Sequence, residues 1–183
     1  TGRYLHTATL LADGRVLITG GSATGPTLAS AEIFDPNANG GIGSFQSTGS
    51  MSTGRYEHTA TFMGDGRVLV AGGYNGSSYV ASAEIFDPNA NGGIGAFTTT
   101  GNLATGSGSH TATRLPNGRV LLIGGQSMSS QSAIVQIFDP TGNGGIGAFT
   151  AMTSLNVARA AHTTTLLNDG RLLVTGGHNS TGF

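Results

Sequence analysis

Cysteine, tryptophan and lysine are missing from the 183 residues, and charged side chains make up only 9%. Without Cys, the sequence can hold no disulfide, no thiolate metal site and no Cys nucleophile. The net charge is −1 and every cation is an Arg, so there is no general electrostatic attraction to nucleic acid or to an anionic membrane. No run is long and apolar enough to span a bilayer, and no signal peptide is visible. Glycine is abundant instead, at 32 residues. High Gly with low charge suits a disordered chain, but here the apolar residues come in ordered runs, which argues against disorder.

Those runs recur. His6, His58, His110 and His162 stand 52 residues apart, each followed by a Thr-rich apolar stretch. The repeats are 1–52, 53–104, 105–156 and a partial 157–183. Thr1-Gly-Arg-Tyr-Leu-His6 aligns with Thr53-Gly-Arg-Tyr-Glu-His58, and Ala31-Glu-Ile-Phe-Asp-Pro36 with Ala83-Glu-Ile-Phe-Asp-Pro88. A repeat of this length is one supersecondary unit that needs neighbours to bury its apolar face. The chain opens and closes inside a repeat, so a piece of something longer is expected, forming a single segment over 1–183.

Each unit holds four strand-like runs. Strand a is Arg15-Val-Leu-Ile-Thr19 and its copies, a continuous apolar run that suits burial on both faces. Strand b is Ser30-Ala-Glu-Ile-Phe34, ended by Asp35-Pro36. Strand c is Ser44-Phe-Gln-Ser-Thr48, with one aromatic that recurs as Phe97 and Phe149. Strand d is His58-Thr-Ala-Thr-Phe-Met63, rich in β-formers. Asp13-Gly14 and its counterparts between d and a read locally as tight hairpin turns that need positive φ. No stretch has the length and period of a helix. Four short strands per unit predict an all-β chain of four-stranded antiparallel propeller blades.

The Gly pairs ending strand a (Gly20-Gly21 and copies), the Phe-Asp-Pro, the spaced aromatic and Arg-x-x-His together resemble Kelch repeats. They are closest to the bacterial Kelch units of galactose-oxidase-like propellers. Phe45, Phe97 and Phe149 stand where Kelch units usually carry Trp, and the b–c loop is lengthened to residues 37–43. The resemblance implies a ring of about six or seven blades, closed by further blades of the same chain or by another copy. By that analogy d is the outer strand of one blade and Asp-Gly leads to the inner strand of the next. The expected blades are then 14–63, 66–115 and 118–167, about three and a half repeats in all.

The phased residues read as structural. Equivalent positions on successive blades lie too far apart for four His to reach one ion, so each His is expected to hydrogen-bond within its own blade. Arg3, Arg55 and Arg159, three residues earlier, are expected to pair with backbone carbonyls or with Glu32 and Glu84. The third unit lacks both partners, carrying Ser107 and Gln136. Asp35-Asn37-Asn39 and Asp87-Asn89-Asn91 place oxygens at positions 1, 3 and 5 before a Gly, like the start of a calcium loop. With one carboxylate each, they are candidates for weak calcium binding only, and an Asx-Pro turn explains the same residues. No other cofactor or metal is expected. No nucleophile elbow or phosphate loop is present. The copper-radical chemistry of galactose-oxidase relatives requires a Tyr–Cys crosslink, and no Cys exists here.

Variation between units points elsewhere. The a–b loops, 22–28, 74–80 and 126–132, change almost completely, while 37–43 and the Asp-Gly turns barely change. In an antiparallel blade the a–b and c–d connections share one face. A variable face carrying Tyr74, Tyr79, Met128 and His178 is therefore the candidate contact for a protein or carbohydrate ligand. The leading expectation is a non-catalytic recognition or scaffold module, secreted or at a cell surface, with no nucleic acid and no membrane insertion. The alternatives are a structural subunit of an extracellular assembly, or the propeller part of a secreted galactose-oxidase-like enzyme whose active site lies outside these residues.

Overall fold

The computed structural model describes residues 1–180, so the last three positions of the fourth unit lie outside the described residues. Among the described residues, fourteen short strands form three four-stranded antiparallel sheets and one hairpin. The first sheet contains β1 (Thr7–Leu10), β2 (Val16–Thr19), β3 (Ala31–Asp35) and β4 (Ser44–Ser47), in that order. The second contains β5 (Thr59–Phe62), β6 (Val68–Ala71), β7 (Ala83–Asp87) and β8 (Ala96–Thr99). The third contains β9 (Thr111–Arg114), β10 (Val120–Ile123), β11 (Val135–Asp139) and β12 (Ala148–Ala151). The last pairs β13 (Thr163–Leu166) with β14 (Leu172–Thr175).

This grouping corrects the expected blades 14–63, 66–115 and 118–167. Strand d pairs with the strand a that follows it, with Thr7 opposite Thr19 and Leu10 opposite Val16. Leu11 N donates to Arg15 O (2.8 Å), Gly14 N donates to Leu11 O (3.2 Å), and Gly14 holds φ +86°. Asp13 accepts from Arg15 N (3.0 Å) and pairs with the Arg15 guanidinium, which locks the turn. A connection this short can join only hydrogen-bonded neighbours, so Asp-Gly lies inside a blade rather than between two. The blades run d-a-b-c, with strands over 7–47, 59–99 and 111–151. The d strands β1, β5, β9 and β13 contact one another in succession, which makes d the inner strand.

The core lies between blades. Leu17, Ile33 and Met51 pack against Val68, Val70 and Phe86 of the second blade. Leu69, Ala71, Ile85 and Met63 pack against Val120, Leu122 and Phe138 of the third. Alternate residues of β6 thus enter different clusters, and all four are buried. That explains why strand a is a continuous apolar run, since both of its faces meet a neighbouring blade. The aromatic of strand c packs on the Phe of strand b, with ring centroids 4.9 Å apart in Phe86–Phe97 and Phe34–Phe45. Phe97 also packs against the cluster shared with the first blade, whereas Phe45 is 62% exposed. Phe97→Ala is expected to cost about 1–2 kcal/mol and Phe45→Ala less than about 1 kcal/mol, read from urea midpoints. Equal losses would rule out packing between blades as the cause.

The lengthened b–c loops contain single helical turns, Ala38–Gly41 and Ala90–Gly93, which sequence period did not reveal. Each is broken by a left-handed Asn–Gly pair, Asn39-Gly40 and Asn91-Gly92.

Candidate functional site

Two sets of side chains stand out: a buried seam that joins blades and an exposed rim that varies. At the seam, His58 Nε2 lies 3.0 Å from Thr7 Oγ1 and 3.1 Å from Thr19 Oγ1, both on the preceding blade. His110 meets Thr59 and His162 meets Thr111 in the same way, each at 3.0 Å. The expectation of a bond within one blade is therefore corrected. Because d is the first strand of its own sheet, its His faces the blade before it. Among the described residues no blade packs on this side of the first one, and His6 is exposed. The Gly pair makes room for this contact. A Cβ at Gly20, which holds φ +61°, would lie 2.7 Å from His58 Cε1 and 2.5 Å from Arg55 O. Burial pushes His58 down to about 3, helped by the Arg55 charge, and His110 down to about 4, helped by His162. His162 is lowered by burial and then by Arg159.

The Arg residues donate to backbone carbonyls and, in the first two units, pair with Glu. Arg55 is fully buried and donates to Gly72 O (3.0 Å), Ser82 O (2.8 Å) and Glu84 Oε1 (3.1 Å). Glu84 also accepts from the Ser52 N–H at 2.9 Å and the Ser52 hydroxyl at 3.0 Å. Arg3 repeats the pattern with Gly20 O, Ser30 O and Glu32. Arg159 donates to Gly176 O. In the third blade Ser107 donates to Gly124 O (3.4 Å), and Gln136 Oε1 accepts the Ala104 N–H (3.0 Å). On the first blade, Arg3, His6, Ile18, Glu32 and Phe45 line a depression of about 410 Å³.

In the b–c loops, Asp35 and Asp87 each accept the N–H two residues on, from Asn37 and Asn89, at 2.9 Å. Asn39 turns its amide nitrogen toward Gly43 O (3.4 Å). This is Asx-turn geometry. Among the described residues, no three His, Cys, Asp or Glu side chains are placed to hold a metal ion.

The rim is built by backbone bridges. The residue two before each phased His pairs with the first variable residue after the Gly pair: Tyr4 with Ser22, Tyr56 with Tyr74, Gly108 with Gln126, Ala160 with His178. Each of the first three a–b loops then folds back on itself, pairing Ser22 with Thr27, Tyr74 with Tyr79 and Gln126 with Gln131. This brings Tyr74 and Tyr79 together, with centroids 5.1 Å apart in an edge-on contact, and sets Tyr56 5.4 Å from Tyr74. Met128 sits on the third blade's loop, 66% exposed, and His178 sits on the fourth unit's bridge. These two share the rim but extend it over successive blades.

Sequence reasoning missed Glu57. Its Oε2 accepts from Tyr79 Oη (3.3 Å), Ser109 Oγ (3.0 Å) and Gln126 Nε2 (3.4 Å), which ties the second blade to the third. Burial and then the Glu57 charge push the Tyr56 and Tyr79 phenols above their ordinary value. Leu5, Glu57, Ser109 and Ala161 all hold φ between 51° and 56°. Ser109 N donates to Glu57 O and Ala161 N to Ser109 O, so this constant backbone links inner strands while its side chains differ in every unit. That variation was the available signal.

A family model described as the Kelch motif matches residues 54–91. Over 94 residues the chain is 29% identical to spermatocyte protein spe-26 of Caenorhabditis elegans, covering 48% of this chain and 16% of that protein. The solved structure of YjhT superposes with a TM-score of 0.76 at 16% identity, over 96% of this chain and 59% of that one. A fungal alcohol oxidase of the AA5 family, in complex with copper, superposes with a TM-score of 0.54 at 16% identity, over 98% of this chain and 48% of that one. The chain thus spans about a sixth of the curated relative and roughly half of each solved structure. At this identity the structural likeness concerns the fold.

Proposed function

We propose that this chain, a β-propeller by its fold with a Kelch motif over residues 54–91, is a non-catalytic recognition module, secreted or at a cell surface. It binds a protein or glycan partner through the rim of Tyr74, Tyr79, Met128 and His178. One observation carries this reading. The residues that break the 52-residue period are gathered side by side by backbone bridges, while the Asp-Gly turns and 37–43 loops stay constant. Variable loops on a rigid scaffold are where recognition usually sits. The tyrosines suit such a contact, offering large rigid area at low entropic cost.

Affinity capture and a glycan array with the purified protein provide the test. Tyr74→Ala combined with Tyr79→Ala is expected to weaken the captured interaction at least about tenfold, as for central aromatic anchors. A control at Ile94, which is 48% exposed in a constant loop, leaves it unchanged. Equal binding by the tyrosine variant and the parent would remove the proposal.

A further inference from the structure

We infer that Glu57, with Tyr56, Tyr74 and Tyr79, forms a subsite for a cationic group, an alkylammonium or guanidinium, on the recognition rim. The inference rests on the recognition reading above and deepens it. The charge pattern is the first reason. Asp13, Glu32, Asp65, Glu84 and Asp169 each form an ion pair with an Arg. Asp35, Asp87 and Asp139 accept backbone N–H groups in turns. Glu57 does neither. Its Oε2 is held by three neutral donors, the Tyr79 phenol, the Ser109 hydroxyl and the Gln126 amide. These fix the carboxylate in place without neutralising it.

The aromatic surroundings are the second reason. The chain has four tyrosines, and all of them stand on this rim, three in a chain of ring contacts at 5.4 and 5.1 Å. Their tilted, edge-on arrangement offers a set of angled π-faces rather than one flat stacking platform. Angled π-faces beside a fixed carboxylate attract a cation by ring quadrupole and by charge together. A flat sugar ring gains less from such a surface, and an anion is repelled by it. Gln126 and Ser109 belong to the third blade, so the subsite spans a blade junction and exists only in the assembled propeller.

The chain supplies its own reporter. With no Trp present, emission excited at the phenols comes from these four tyrosines. The intact protein is titrated with N-acetyl-arginine amide, tetramethylammonium and a blocked hexa-arginine peptide, alongside hexa-glutamate and maltohexaose. Saturable change with at least one of the cations, weakened by salt, is expected. Response to the peptide alone marks a polypeptide source, and response to the single amide as well marks a small amine. Glu57→Gln keeps the side chain's shape, and its fold is checked by thermal melting. It is expected to weaken cation binding about tenfold or more. Tyr74→Leu provides a second variant with the same expected direction. No saturable response to any cation, or equal binding by Glu57→Gln, overturns the subsite. If maltohexaose or a captured partner still binds in a Tyr74- and Tyr79-dependent way, the cation subsite falls while the recognition rim stands.

Discussion

Acidification below pH 6.5 is expected to remove about 1.4 kcal/mol of stability per pH unit for each of His58 and His110. Both rings are buried, and Nδ1 of each has no hydrogen-bond partner. A proton there would add a buried charge, and burial is the largest cause of both lowered values. The folded values lie at about 3 and about 4, below the unfolded value near 6.5. Above pH 6.5 both states are neutral and the stability is fully present. As the pH falls, the unfolded chain takes up protons that the folded one refuses, so stability declines. The loss runs on to about 4 for His110 and about 3 for His58. The Arg-paired Asp13, Asp65 and Asp169 are held below their ordinary values and contribute a further loss, in a lower window beneath the usual carboxylate range. Urea unfolding at pH 7, 6 and 5 measures the slope. His110→Gln should cut the slope between pH 6 and 5 by about one histidine's share. A flat profile from pH 7 to 5 would show that the seam histidines accept protons in the folded state.

The second large effect belongs to Arg55 and Glu84. Burial lowers the Arg55 guanidinium from its ordinary value, and the Glu84 charge opposes that shift. Removing either partner leaves the other charged and out of water, at a cost of about 3–5 kcal/mol. Arg55→Ser and Glu84→Gln are therefore each expected to be severe. The double variant reproduces the pair that the third blade already carries, Ser107 with Gln136, in which neither group is charged. It is expected to lose less than about 2 kcal/mol, far below the sum of the singles. Additive losses in a double-mutant cycle would show that the two side chains act independently.

Much of this pair was legible before any coordinates. Arg and Glu disappear together in the unit carrying Ser107 and Gln136, and joint loss is what a coupled buried pair produces. The apolar run of strand a was also legible as doubly buried, and β6 bears that out in full. The blade boundary was not. The local reading of Asp-Gly as a tight hairpin turn was sound, and the family analogy that placed it between blades gave way to it. Misplacing that boundary also misassigned the histidines, whose partners lie about 40 to 50 residues back on another sheet. Glu57 was hidden for a related reason. Its donors come from positions 79, 109 and 126, and no short spacing announces a contact assembled from two blades.

The order of residues is enough to specify the repeat, the four strands of each unit, the turns between them and the need for neighbours. These follow from interactions a few residues apart: apolar period, Gly at positive φ, Pro after Asp. Packing in three dimensions settles the rest. It makes the inner strand the first of its blade, turns the phased histidines into ties between sheets, and draws four tyrosines and one unpaired carboxylate onto a single rim. Those contacts join residues whose separation is close to a whole repeat or more, and in a periodic chain every unit offers the same local choices. Only the stacking of one blade on the next selects among them.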